Sequence, residues 1–258
     1  MARERGADWE GYRRNLWQYR NNRAAEIWDR TRDAYDDLFT YDWWHRYRGR
    51  AFSLGSYSPW WWWNACPWDN LVAFGGYGWD TPIYYDYDAN VIVDDDYYVD
   101  GQDLGPRAAY AQQAIQLANP AVAVAEPLPP QEAGVASEWQ PLGVFALTQQ
   151  EQGDAVIFFQ LAINKEGVIS GAFTNTLTDE SAAVSGSVDK RSQRAAWHVG
   201  DKTTTVYEAG IANLTQNVAP ILIHFGTQAT QTWLFVRMAS PDLPTQPASV
   251  IAPPEQGQ

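Results

Sequence analysis

The clearest periodicity in the chain is two. Between Trp139 and Met238, short runs alternate apolar and polar positions and are separated by turn residues, the pattern of half-buried antiparallel strands. Strands are predicted over 144–148, 155–163, 168–175, 182–188, 194–199, 203–209, 221–225 and 230–238. Asn164-Lys165-Glu166-Gly167, Asp189-Lys190-Arg191-Ser192 and Gly200-Asp201-Lys202 supply turns between them. Eight strands, each able to pair with its neighbour in sequence, predict an up-and-down barrel or a two-sheet sandwich. Gly171 and Gly186 in mid-strand fit the tight curvature of a small barrel. Such a barrel is either filled by its own side chains or holds one small ligand; a filled interior is the expectation.

Upstream the period changes. Over 8–39 the apolar residues Tyr12, Leu16, Tyr19, Ala24, Ile27, Trp28, Tyr35, Leu38 and Phe39 recur at three and four, predicting one long amphipathic helix capped by Asp8. Its other face carries Arg13, Arg20, Arg30 and Arg32 among Glu26, Asp29, Asp33 and Asp36; it reads as a solvated face or a docking face for a partner subunit. Residues 41–79 have no period, and eleven of the 14 tryptophans lie before residue 80. Trp60, Trp61, Trp62, Trp63, Trp68 and Trp79 are the ligand or interface candidates, as an internal knot, a stacking platform for sugars or a surface covered by another subunit. A small β-meander follows at 83–87, 90–93 and 97–99, then an alanine-rich helix from Pro106 to Asn119. The fold class is therefore α+β. Its regions are an N-terminal helical and aromatic-rich part (1–119), a Pro/Ala-rich linker (120–137), the β-module (138–240) and a Pro/Gln-rich disordered tail (241–258).

Charge removes two partner classes. The net charge is −13, and 51–136 sets Arg107 alone against eleven acids, so neither nucleic acid nor an anionic membrane finds a clustered basic face. One cysteine, Cys66, excludes an internal disulfide. The N-terminus lacks a secretory apolar stretch and no run is long enough to span a bilayer; the chain as given reads as soluble, either cytoplasmic or with its export signal trimmed. Asp86, Asp88 and Asn90 match the opening of a calcium loop, with Asp94, Asp95 and Asp96 nearby, but Val91 and Tyr97 stand where Gly and Glu belong. His198, His224 and Glu208 fall on three strands without metal-ligand spacing, and Trp197, Glu208 and Arg237 read as a structural cross-strand set. No nucleophile elbow or fixed carboxylate pair occurs. The sequence thus points away from an enzyme and implies no cofactor.

The strings 139–147 (WQPLGVFAL), 186–190 (GSVDK), 193–197 (QRAAW), 213–216 (NLTQ) and 224–226 (HFG) resemble a group of bacterial envelope proteins, found mainly in planctomycete-type bacteria and labelled as mu-protocadherins or cell-surface proteins. The resemblance extends to 97–102 (YYVDGQ) and the N-terminal helix, and so covers most of the chain. It brings no catalytic residues. It implies an exported location, extracellular, at the cell surface or periplasmic, for a chain that begins downstream of its signal. The expected role is a non-enzymatic structural, adhesive or assembly protein that self-associates or contacts other envelope proteins. The alternative is a module for a carbohydrate or small ligand, bound at the Trp-rich segment or the barrel mouth; an enzyme comes third.

Overall fold

The computed structural model describes residues 9–31, 38–39, 63–87, 92–93, 96–99, 102–119, 138–149 and 153–239. Eight antiparallel strands close on themselves: β4 (Trp139–Thr148), β5 (Ile157–Asn164), β6 (Val168–Asn175), β7 (Glu180–Val188), β8 (Arg194–Val199), β9 (Thr205–Gly210), β10 (Val218–Phe225) and β11 (Ala229–Arg237). Each pairs with its sequence neighbour, and β11 closes the ring on β4 through Phe235↔Leu147 and Val236↔Ala146. Of the two predicted architectures the barrel is the one formed. Closure leaves no strand edge unpaired.

The period-two face decides what lies inside. Phe145, Phe159, Phe173, Trp197, Tyr207 and Phe235 all belong to the interior cluster. The Phe159 ring lies 5.0 Å from that of Tyr207, 5.2 Å from Phe235 and 5.3 Å from Phe173. Trp197 stacks at 6.3 Å on Tyr207. Such bulk needs room from its neighbours. A Cβ on Gly171 would sit 1.8 Å from the Gln160 carbonyl oxygen, and one on Gly186 would sit 2.1 Å from that of Ala196; only glycine lets these strands approach so closely.

The described segments of the N-terminal half pack on the barrel. Helix α1 (Trp9–Thr31) is shorter than the predicted 8–39, of which 32–37 lie outside the described residues. It sets Ala24 and Ile27, with Trp28, against Val144, Ala146, Val218, Leu234 and Val236 on the outer wall. Its predicted polar face is partly buried. Arg20, 1% exposed, pairs with Asp86 at 2.8 Å, and Arg23 donates to the Thr148 hydroxyl at 3.0 Å and to the carbonyl of Gly153. A buried guanidinium is tolerated where a carboxylate or other acceptors meet its charge, as Asp86 does for Arg20 and Thr148 and Gly153 do for Arg23.

Helix α2 (Trp68–Gly75) was not expected from a stretch that reads as irregular. It is two turns long, with Asp69 in its first turn and Gly76 in the left-handed conformation as its stop. The meander is also displaced: β1 (Ile92–Val93), β2 (Asp96–Val99) and β3 (Gln102–Pro106) form the small sheet, while 83–87 is not a strand. Side-chain amides take the place of a ladder there. Gln193 accepts from the Ile83 amide and donates to the Thr81 carbonyl, both at 2.8 Å; Asn213 accepts from the Tyr85 amide at 2.9 Å and donates to its carbonyl at 3.1 Å. Helix α3 (Arg107–Ala118) lies over β7, β8 and β9, packing Ala114 and Ala118 on Ala196 and Val206. The predicted linker 120–137 and tail 241–258 lie outside the described residues.

Candidate functional site

Among the described residues, three further groups of side chains are candidates for a functional role. The first seals one end of the barrel. Cys66, Leu71 and Trp79 join the interior cluster from outside the strands. The Trp79 indole donates to the Lys190 carbonyl at 2.7 Å, Tyr77 donates to the Asn164 carbonyl, and Lys190 lies 5.1 Å over the Tyr77 ring. Beside them Arg237 is buried with no carboxylate among its partners in the described residues. It donates to the carbonyls of Leu142 at 2.7 Å, Leu214 at 2.6 Å and Gln216 at 3.3 Å, and lies 4.7 Å over the Phe145 ring. Burial pulls its pKa down to about 10, so it remains a cation at neutral pH. Burial pushes the Cys66 thiol up to about 11, which leaves it a poor nucleophile.

The second group lies on the outer wall beneath α3. Arg194 grips Glu208 with two donors, Nε to Oε1 at 3.0 Å and Nη2 to Oε2 at 2.8 Å. Tyr87 and Tyr110 donate to Oε1, and His224 Nε2 lies 3.1 Å from Oε2 while its Nδ1 meets the Thr230 hydroxyl at 2.9 Å. The Tyr110 ring lies under the Arg194 guanidinium at 3.7 Å. Burial alone would raise the Glu208 carboxyl, but the Arg194 charge and the hydrogen bonds from His224 and Arg194 outweigh it and hold the pKa well below the ordinary 4.5. Burial, then the Glu208 charge, drives Tyr87 well above 10. With Glu208 entirely buried, the cluster is a satisfied ion pair, worth its geometry rather than any exposed reactivity.

The third group rims the opposite end of the barrel, where the inward-facing positions emerge into solvent. Ile157, Asn175, Glu180, Thr205 and Trp233 are half-exposed and Phe225 is 41% exposed.

The structure regroups the residues singled out in the sequence. Glu208 meets His224 but not His198, whose Nδ1 contacts the Gly200 carbonyl at 2.8 Å. Trp197 lies inside the barrel, Glu208 is tied to side chains packed on its outer wall, and Arg237 sits at the sealed end, so these three form no common set. Arg194 is Glu208's true partner, a residue the sequence reading passed over. Both lie on the outward parity of neighbouring strands, and that shared parity was the available signal. Asp86 is buried against Arg20; Asp88, Asn90, Asp94 and Asp95 lie outside the described residues, as does the side chain of Asp96. No three potential ligands gather to hold a metal ion among the described residues. Trp63 and Trp79 are buried and Trp68 stacks on Trp79 at 5.6 Å, while Trp60, Trp61 and Trp62 lie outside the described residues. No described helix is long and apolar enough to cross a membrane. Comparison with family models, curated proteins and solved structures returned no match.

Proposed function

We propose that the protein is a non-enzymatic component of the bacterial cell envelope with a structural, adhesive or assembly role. The filled barrel serves as a rigid post, and the segments laid on its outside present the surface that meets other copies or other envelope proteins. One observation carries this reading: the barrel interior is packed with aromatic rings, and one end and much of the wall are occupied by the chain's own N-terminal half. Several of the buried charges fasten those segments, with Arg194–Glu208 gripping Tyr110 of α3 and Arg23 gripping the end of β4. The envelope location rests on the sequence resemblance.

Light scattering on the purified chain tests the assembly role. A stable or concentration-dependent oligomer is expected, and a monomer at high micromolar concentration overturns it. Fractionation of producing cells tests the location, with recovery in the cytosol as the opposing result.

A further inference from the structure

Burial along the inward-facing positions grades from one end of the barrel to the other. Near the α2 seal, Leu142, Ile163, Ala209 and Ala219 are fully buried. At the far end Trp233 and Ile157 are half-exposed over the same interior cluster. Below them the Phe159 ring packs 5.3 Å from that of Phe173 and 5.0 Å from that of Tyr207, and the three fill the interior. An acyl chain has no depth to enter. A single ring can.

The chemistry of the rim narrows the ligand. Trp233 offers an aromatic surface, and its indole Nε1 is fixed by donating to Gln231 Oε1 at 3.0 Å. Glu180 and Lys202 pair at 2.9 Å across the rim, so their charges already compensate and a charged ligand would have to break them apart. Tyr207 is only 9% exposed, yet its hydroxyl has no hydrogen-bond partner among the described residues. Burial and the nearby Glu180 carboxylate push that phenol up to about 12, so it stays protonated as a donor. An aromatic face, a free hydroxyl, an amide at Asn175 and a compensated ion pair suit a neutral polyol with an apolar face.

We propose that this mouth binds one neutral sugar ring at the end of a glycan, stacked on Trp233 and hydrogen-bonded to Tyr207, Glu180 and Asn175. The sugar's C–H face lies on the indole. Its hydroxyls accept from the Tyr207 O–H and the Asn175 side-chain N–H, whose amide oxygen already takes the Leu177 N–H at 3.0 Å, and donate to the Glu180 carboxylate.

The test uses the full chain and four probes, the methyl glycosides of glucose, galactose, mannose and N-acetylglucosamine. Saturation transfer from protein to probe is followed by NMR. At least one probe should show transfer, weakened tenfold or more by Trp233→Ala and several-fold by Tyr207→Phe, with the double variant Trp61→Ala/Trp62→Ala unchanged. Silence from all four probes overturns the site. So does binding that survives both mouth variants, or that is lost in the Trp61/Trp62 variant instead. Tighter binding of a glucuronide than of its neutral counterpart overturns the ligand class. Should Trp233→Ala fail to fold by circular dichroism, Tyr207→Phe, which removes one oxygen atom, decides alone, and unchanged affinity counts against the proposal.

Discussion

Glu208 shows how a single side chain can set the terms for its surroundings. It is wholly buried and satisfied by an arginine, a histidine and two tyrosines. Glu208→Gln keeps the shape but strands the Arg194 cation, and should destabilise the protein by about 3–5 kcal/mol in urea unfolding. The pH dependence has a definite sign. Because the folded pKa lies below the ordinary 4.5, the carboxylate's contribution is complete above that value and is lost as the pH falls towards the folded pKa. Wild-type stability should therefore decline below about pH 4.5, and Glu208→Gln should flatten that decline. Gly171 makes a steric counterpart. Gly171→Ala forces a methyl group into the Gln160 backbone and should cost ~3 kcal/mol or more, the upper end of overpacking penalties, read from the same unfolding curves.

At the scale of elements, α1 and α3 are held by different means. Ile27 of α1 is buried in an apolar cluster, so Ile27→Ala should lower stability by about 2–5 kcal/mol through the cavity it leaves. Tyr110 fastens α3 by a hydrogen bond to a buried carboxylate, worth about 1.5–3 kcal/mol. Tyr110→Phe should speed amide exchange over 107–118 more than in β8, and equal effects in both would contradict this. The strands were legible in the sequence because a buried face repeats at every second residue; 168–175 and 194–199 coincide with β6 and β8. Helix α2 was hidden, since eight residues are too few to show a 3.6 period amid aromatic neighbours. The path of 81–87 was equally opaque. Its backbone partners are the amides of Gln193 and Asn213, more than a hundred residues away. The Glu208 cluster failed to show for the same reason: polar residues on an outward strand face look solvated until the register brings Arg194 and His224 alongside and α3 covers them.

Across the whole molecule, the two halves share their cores. Cys66, Leu71 and Trp79 belong to the barrel's interior cluster, and Ala24, Ile27, Phe39 and Trp63 share another with the outer wall. Tryptophan fluorescence, weighted to the N-terminal half, and far-ultraviolet circular dichroism, which follows the strands, should therefore give coincident unfolding midpoints. Separate midpoints would mean that the halves unfold independently.

Ring closure also imposes an order in time. The pairing of β11 with β4 joins the last strand to the first, so no complete wall exists until residue 237 has left the ribosome. Helices α1 and α2, which pack on that wall and its sealed end, are made before either exists. A nascent chain of this kind spends its synthesis with its greasiest stretch uncovered. A premature stop anywhere before β11 leaves the early segments with no closed barrel to dock on.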